Sequence, residues 1–312
     1  MQIKITVGVC VKNGEDCVRD ALKSINDQDY PHEPTEIIIV DDGSTDNTLS
    51  IIENSIPTMK ANVKVMRQEW KGLGASRNVI VDKANGQYII WVDCDMRLSK
   101  DFVRKQVEFM DRNPDVGIAK GKYGLYSSTS LVAYLENMGA IVEYLNYDQG
   151  KLSKPLGTGG SIYRVKAIRE IGGFDENIKG VGEDMDAEYR TRRAGWLLKV
   201  TNAEFYEMRR TDWRALWNEY FWHGSGGQSI SKEARPRYVL YKTFPPAALI
   251  IEFYHSCTAY KLAHNKLVFL LPFHWTFKRI AWLLGFLTSY ARTKGLSHDS
   301  PKSPANEARI AL

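Results

Sequence analysis

The sequence predicts an α/β fold with a helical C-terminal extension, on three observations. Short apolar runs alternate with helix-like stretches through the first 125 residues. Two of those runs end in acidic loops, Val40 into Asp41-Asp42 and Val92 into Asp93-Cys94-Asp95. From about Trp213 the chain turns aromatic and basic, and long uncharged runs appear.

Ile3–Val11 is apolar but carries Lys4, so it reads as a first strand and not as the core of a leader peptide. Glu15–Asn26 follows as a helix. Glu36–Val40 is apolar throughout, and Asp46 is placed to cap a helix over Thr48–Asn54. Val63–Arg67, Ala75–Lys83 and Tyr88–Val92 continue as strand, helix and strand. Strands that are apolar along their whole length, separated by helices, imply a mostly parallel sheet covered on both faces. In such nucleotide-binding architectures ligands sit beyond the carboxyl ends of the strands. That is where both acidic loops fall.

The chain has 312 residues, 44% of them apolar and 25% charged, which allows a substantial core and excludes disordered and fibrous classes. The net charge of +5 is unevenly spread. From Arg210 onward there are 14 Lys/Arg against 6 Asp/Glu, so the preceding part carries a small acid excess. A basic tail suits an anionic surface, although a solvated basic face has the same composition. No nucleic-acid partner is expected. Cys10, Cys17, Cys94 and Cys257 show neither disulfide-framework nor metal spacing, which fits a reducing, cytoplasmic setting.

Trp213, Trp217, Tyr220, Phe221, Trp222 and His223 crowd ahead of Gly224-Ser225-Gly226-Gly227. We place the end of an α/β unit there, at 1–227, with a first half over 1–125 and a second over 126–227. Residues 228–296 read as an amphipathic helical extension, and 297–312 as a flexible tail. The extension holds three apolar patches, Phe244–Ile251, Leu267–Phe277 and Ile280–Ala291. Pro272 interrupts the second, and Lys278-Arg279 separates it from the third. Uncharged runs of 11 and 12 residues fall short of the roughly 20 needed to span a bilayer. The expectation is therefore helices lying in a membrane interface over 244–291, with Trp275, Lys278, Arg279 and Trp282 at headgroup level. A helical layer packed on the α/β unit or on a partner subunit is the competing reading.

The acidic clusters carry the chemistry. Two carboxylates at a strand end, Asp93 and Asp95, suit a hard cation such as Mg²⁺ or Mn²⁺, which binds oxygen and often takes only one or two carboxylates plus substrate phosphates. Such a cation neutralises a departing diphosphate. Asp42 is suited to hydrogen bonds from a base or ribose, while Asp41-Asp42-Gly43-Ser44 serves equally as a turn. Arg77 is placed to pair with phosphate or with Asp95. Glu183 and Asp184 offer a general base for an attacking hydroxyl, and equally a helix cap. With one base and one metal, no second acid of the glycosidase kind is required. His223 is a weaker candidate metal or phosphate ligand, because an isolated histidine is more often structural.

With these residues in view, the chain resembles the family 2 glycosyltransferases with the GT-A fold over roughly Ile3 to Gly227. The motifs are Val9-x-Val11-x-Asn13-Gly14-Glu15, Val40-Asp41-Asp42-Gly43-Ser44-Thr45-Asp46 and Gly74-Ala75-Ser76-Arg77-Asn78. They continue with Asp93-x-Asp95, Gly159-Gly160-Ser161, Gly172-Gly173-Phe174-Asp175-Glu176 and Glu183-Asp184-x-Asp186. The set is specific where each motif alone is not. The resemblance implies an inverting transfer from a nucleoside-diphosphate sugar. Val9, Val11, Asn13, Asp41, Asp42, Arg77, Asp93 and Cys94 would lie on the donor. Asp95 would hold the metal, with His223 as a possible second ligand. Asp184 would be the base, with Glu183 beside it, and Gly159, Gly160 and Trp222 would line the acceptor side. Processive members carry a Gln-x-x-Arg-Trp element after the base. Here Arg209-Arg210-Thr211-Asp212-Trp213 stands there, which implies a single transfer to a glycan or lipid-linked saccharide. Members with true spanning helices also differ, which implies a peripheral enzyme on the cytoplasmic face of the membrane. Two other readings compete with this one. A nucleotidyltransferase needs a more glycine-rich first loop than Val11-Lys12-Asn13-Gly14-Glu15, and a non-catalytic sugar-nucleotide-binding or membrane scaffold would not need Asp184.

Overall fold

A computed structural model describes residues 2–126, 128–145, 155–178, 181–226 and 245–293. Gly227, residues 228–244 and the 297–312 tail therefore lie outside the described residues. One eight-stranded sheet organises the rest, in the order β3-β2-β1-β4-β7-β6-β8-β5. Its strands are β1 (Ile5–Val11), β2 (Thr35–Asp41), β3 (Asn62–Arg67), β4 (Tyr88–Trp91), β5 (Met96–Leu98), β6 (Val116–Tyr123), β7 (Ser161–Arg164) and β8 (Leu197–Glu207). β1 to β4 are mutually parallel, β6 runs parallel to β8, and β5 and β7 are antiparallel to their neighbours.

The expected double-sided burial is present. Along β1, Ile5, Val7, Val9 and Val11 enter one core while Cys10 enters the other; β2 alternates Ile37 and Ile39 against Ile38 and Val40. Burying each such side chain stabilises by about 1.5–3 kcal/mol, so a one-residue slip of register is heavily penalised. Helix α1 (Val18–Asn26) buries Val18, Ala21, Leu22 and Ile25, a single helical stripe. It starts three residues later than expected. The N–H groups of Asn13, Gly14 and Glu15 instead donate to Ser44, Thr48 and Asp46 side chains, so this stretch is a loop welded to the end of β2. Asp46 also accepts from the Thr48 N–H at 3.0 Å, at the start of α2 (Thr48–Ser55). Helices α3 (Leu73–Lys83), α4 (Phe102–Arg112), α5 (Leu131–Leu145), α6 (Val165–Glu170) and α7 (Glu183–Arg193) complete the α/β unit.

The C-terminal helices are α8 (Trp213–Gly226), α9 (Pro245–Ala263) and α10 (Leu271–Thr293). α8 and α10 meet backbone to backbone. A Cβ at Gly224 would overlap the Trp282 carbonyl, and one at Gly285 the Phe221 carbonyl. The apolar run Leu267–Phe277 does break near Pro272, between a 3₁₀ turn (Lys266–Leu270) and α10; Pro272 is the second residue of α10, where its missing N–H costs nothing. One expectation is corrected here. Lys278 and Arg279 do not divide two helices or stand at headgroup level. Each is only 3% exposed, and Trp275 and Trp282 are buried beside them. The reason is a counter-charge from far back in the chain. Glu136 of α5 takes Lys278 Nζ at 2.8 and 3.0 Å, Tyr220 Oη at 2.7 Å and His274 Nε2 at 3.1 Å. Glu136 is held well below the usual carboxylate range, because Lys278 and His274 outweigh the burial that opposes ionisation. The stretch Lys266–Ala291 is long and apolar enough to cross a membrane by length and composition, but half of it is buried inside the protein.

Candidate active site

The carboxyl ends of the parallel strands β1, β2 and β4 lie at one edge of the sheet. There Asp42 N–H donates to the Val11 carbonyl at 2.9 Å. The buried Asp42 carboxylate accepts from Gln68 Nε2 at 2.7 Å and from the Lys71 and Gly72 N–H groups, both at 2.9 Å. It thereby ties the 68–72 loop over β2. Asp41 is fully buried, and its Oδ1 accepts the Ser44 N–H at 3.1 Å, so its side chain builds the turn. Asn13 holds φ +53°, a left-handed conformation that asparagine tolerates, and its Oδ1 accepts the Thr45 N–H at 2.8 Å. Val9 and Val11 side chains are wholly in the core, and their backbone lies in the β1–β2 ladder. Cys94 is likewise packed inside, its Sγ 3.4 Å from that of Cys17.

At the centre, Arg77 joins the two halves. It is 4% exposed; one arm pairs with Glu183 and the other lies 3.9 Å from Asp93 Oδ1. Its carboxylate partners are Glu183 and Asp93, and not the expected Asp95. Burial pushes Glu183 up to about 7, with Asp184 and Asp93 adding to it and Arg77 opposing. Cys10 of β1 lies within reach of the charges on Arg77, Asp93, Asp42 and Glu183; burial above all raises its thiol. All three acidic clusters thus converge.

Asp95 is set by the antiparallel β5–β8 ladder. Met208 N–H donates to its carbonyl at 2.8 Å, and Met96 stands opposite Glu207. Burial first, then the Glu207 and Asp93 carboxylates, push Asp95 well above its ordinary range, against Arg210. Glu207 is raised as well, by burial, against Arg209 and Lys120. Glu207 and Asp93 raise Asp95, a local excess of negative charge that oxygen-seeking Mg²⁺ or Mn²⁺ would relieve. Among the described residues no three His, Cys, Asp or Glu form a ready metal cluster. Asp95 and Glu207 are the carboxylates that could hold such a cation. His223 packs against the rings of Tyr220 at 5.5 Å and Trp222 at 5.4 Å, in the aromatic cluster of α8.

Gly159 and Gly160, expected on the acceptor side, lie in the turn Gly157–Gly160, which approaches the first turn of α7 at Asp184. Gly157 and Gly160 have φ +75° and +69°, and a Cβ at Gly159 would collide with Asp93 Oδ2. Gly160 N–H donates to Trp91 O at 2.9 Å, fixing the turn to β4. Gly182, at φ +114°, starts α7 so that Glu183 and Asp184 sit at its positive end. Glu188, one turn on, accepts the Leu156 and Gly157 N–H groups at 2.9 and 2.6 Å. Lys120 Nζ donates to Gly159 O at 2.6 Å. Lys120 and Glu188 hold this turn, and Glu207 lies near Asp95; none of the three lies in a local motif, and the pairing of Arg209 with Glu207 and of Arg210 with Glu219 could not be read from the Arg209-Arg210 stretch itself. The signal that was available is a lone lysine inside the apolar run Val116–Ala119 and its continuation.

The sequence profile described as Glycosyl transferase family 2 matches residues 6–172. The chain is 32% identical over 121 residues to the poly(ribitol-phosphate) beta-N-acetylglucosaminyltransferase TarS of Staphylococcus aureus. That match covers 38% of this chain and 21% of TarS, so the chain spans about a fifth of that relative's length. Among solved structures, the mannosyltransferase PcManGT from Pyrobaculum calidifontis, in complex with GDP-Man and Mn²⁺, aligns with TM-score 0.63 at 16% identity, covering 93% of this chain and 88% of that one. Residues 1–349 of S. aureus TarS with UDP-GlcNAc align with TM-score 0.53 at 18% identity, covering 95% and 93%. These structural likenesses establish the GT-A fold.

Proposed function

The chain belongs to glycosyl transferase family 2, and on that premise we propose that it moves one sugar from a nucleoside-diphosphate sugar to an acceptor hydroxyl with inversion. The observation that supports this reading is the gathering of Asp42, Asp93 and Glu183-Asp184 at one edge of the sheet, with Arg77 paired to Glu183 and 3.9 Å from Asp93. Asp42 and the backbone at Val11 form the nucleoside end. Asp93 stands on the ribose and sugar side. Asp184, at the positive end of α7, takes the proton as the acceptor oxygen attacks the anomeric carbon. The new C–O bond forms as the bond to the diphosphate breaks, and the diphosphate leaves as an anion. Asp95, with Glu207 beside it, would hold Mg²⁺ or Mn²⁺, whose charge stabilises that leaving group.

UDP-sugars are the first donors to test, because the S. aureus relative is known with UDP-GlcNAc; the acceptor class is a glycan or lipid-linked saccharide. A screen of UDP- and GDP-sugars with Mg²⁺ and Mn²⁺ should find one that raises Tm and releases free nucleoside diphosphate. Binding at 100 times Kd adds about 2.7 kcal/mol of stability. A screen in which no sugar nucleotide binds or turns over would contradict the proposal.

The outer faces of α9 and α10 expose Phe253, Tyr254, Phe273, Ile280, Leu284 and Leu287. We assign this apolar band to an anionic membrane surface on the cytoplasmic side, in keeping with the basic balance of the sequence from Arg210 onward. Its lipid-facing residues are these, in place of the buried Trp275, Lys278, Arg279 and Trp282. Full-length chain should co-sediment with anionic vesicles, and a Phe253→Asp, Phe273→Asp double variant should not. Equal sedimentation of both would remove the band as the contact.

A further inference from the structure

Trp70 is 53% exposed, yet the loop that carries it is fixed on both sides. Before it, Gln68 N–H donates to the Asp41 carbonyl at 3.0 Å, and Gln68 Nε2 bridges Asp42 Oδ1 and Ser76 Oγ at 2.7 and 3.0 Å. After it, the Lys71 and Gly72 N–H groups both donate to the Asp42 carboxylate at 2.9 Å. The loop also lies hard against the turn that follows β2. Gly43 holds φ +80°, and a Cβ there would stand 3.0 Å from the Trp70 nitrogen. Glycine is what permits so close an approach.

The ring is held as well as the backbone. Lys12, at the end of β1, sets its Nζ over the indole, 4.9 Å from the centroid, a cation–π contact. Among the described residues Lys12 makes no ion pair. Burial lowers its ammonium below the ordinary lysine range, and the nearby Asp42 carboxylate opposes that shift. Lys12, Trp70 and Asp42 therefore stand together at the carboxyl edge of β1 and β2.

A single exposed aromatic on a protein surface needs no explanation by itself. This one is tethered through its backbone to Asp42, carries a half-buried lysine over its ring, and still keeps more than half of its surface open. A flat ring fixed in this way offers a face to another flat ring, and every nucleobase has one. The Lys12 ammonium beside it supplies donors for the carbonyl oxygens that uracil and guanine carry.

We propose that Trp70 is the platform on which the nucleobase of the donor stacks, with Lys12 holding the indole in place. This rests on the reading of Asp42 as the nucleoside end of the site. A sugar ring can also lie on an indole, but the side chains assigned to the sugar, Asp93 and Asp184, gather around Arg77 and not around Lys12. The base is therefore the part of the donor that meets Trp70.

The test uses the full-length chain, with Kd measured by calorimetry for UDP, GDP, the best sugar nucleotide from the donor screen, and pyrophosphate, all with Mn²⁺. Trp70→Ala should weaken UDP, GDP and the sugar nucleotide alike, by about 10- to 100-fold. Pyrophosphate, which has no base, should bind within about twofold of wild type. Trp70→Phe keeps a π face and should recover most of the loss. The urea midpoint of the unliganded chain should not move, since the ring is exposed. If Trp70→Ala does not fold, Trp70→Leu, apolar but without a π face, is read in the same way. Nucleotide affinity unchanged in a folded Trp70→Ala overturns the proposal. So does an equal loss for pyrophosphate, which would make Trp70 a structural support, or a loss confined to the sugar nucleotide with UDP and GDP unaffected, which would place the sugar on the ring. The wild-type chain separates the two readings: if it binds no nucleotide, the proposed function fails and this inference falls with it, whereas binding that ignores Trp70 removes this inference alone.

Discussion

The donor end of the cleft and the C-terminal helical layer hold their charges in opposite ways. Around Asp42 the charge is fixed by backbone, two N–H groups of the 68–72 loop and the register of neighbouring parallel strands. Around Glu136 it is fixed by long side chains reaching across helices, from Lys278, His274 and Tyr220. The first arrangement holds a buried carboxylate with little freedom to move, both its oxygens hydrogen-bonded. The second consumes its charges internally and leaves an apolar outer face. The first suits the binding role proposed for it, the second holds a layer together and exposes a surface.

Substitutions can break or sharpen this contrast. The largest effect is expected in the cleft: Asp95→Ala should cut transfer about 10³-fold, or roughly 4 kcal/mol in the barrier. It should also abolish the Mg²⁺- or Mn²⁺-dependent part of donor stabilisation, while Tm of the unliganded chain is kept or raised as repulsion with Glu207 is relieved. In the helical layer, Lys278→Ala strands a buried carboxylate and should cost about 3–5 kcal/mol in urea denaturation. Donor Kd of the folded protein should not change. The paired change Lys278→Met with Glu136→Leu should restore most of that stability. If donor affinity falls with Lys278, the two regions are one unit and the contrast fails.

Glu188 gives a smaller effect with a defined sign. Burial, and then Asp184, push it up to about 7 from an ordinary 4.5. The folded state thus keeps a proton that the unfolded chain has released. Stability should fall as pH rises from about 4.5 to 7, by at most about 3 kcal/mol. Glu188→Gln should flatten that slope in Tm measured against pH; an unchanged slope would assign it to another group.

The same contrast explains which parts were legible in the sequence. Fully apolar strands and the acidic residues that end them are local patterns, so β1, β2, β4, the triplet and the Glu183-Asp184 helix start could be read directly. What escaped depends on partners distant in sequence. α1 starts late because Ser44, Asp46 and Thr48 capture its first donors from 31 to 34 residues away. Arg77 finds Glu183 at a separation of 106 residues, and Lys278 is buried because Glu136 lies 142 residues before it. A charge in an apolar run looks like a break or a headgroup contact until its counter-charge is located. Asp95 and Glu207 meet only through an antiparallel edge strand of three residues, too short to leave a periodic signal.

The account turns on Asp184 acting on the acceptor while the donor is held elsewhere. Measuring donor binding and sugar transfer on one preparation of Asp184→Asn tests this most directly. The structure predicts a donor Kd within about twofold of wild type and transfer reduced by about 10²- to 10⁴-fold. Retained transfer, or a loss of transfer that only follows a loss of donor binding, would contradict it.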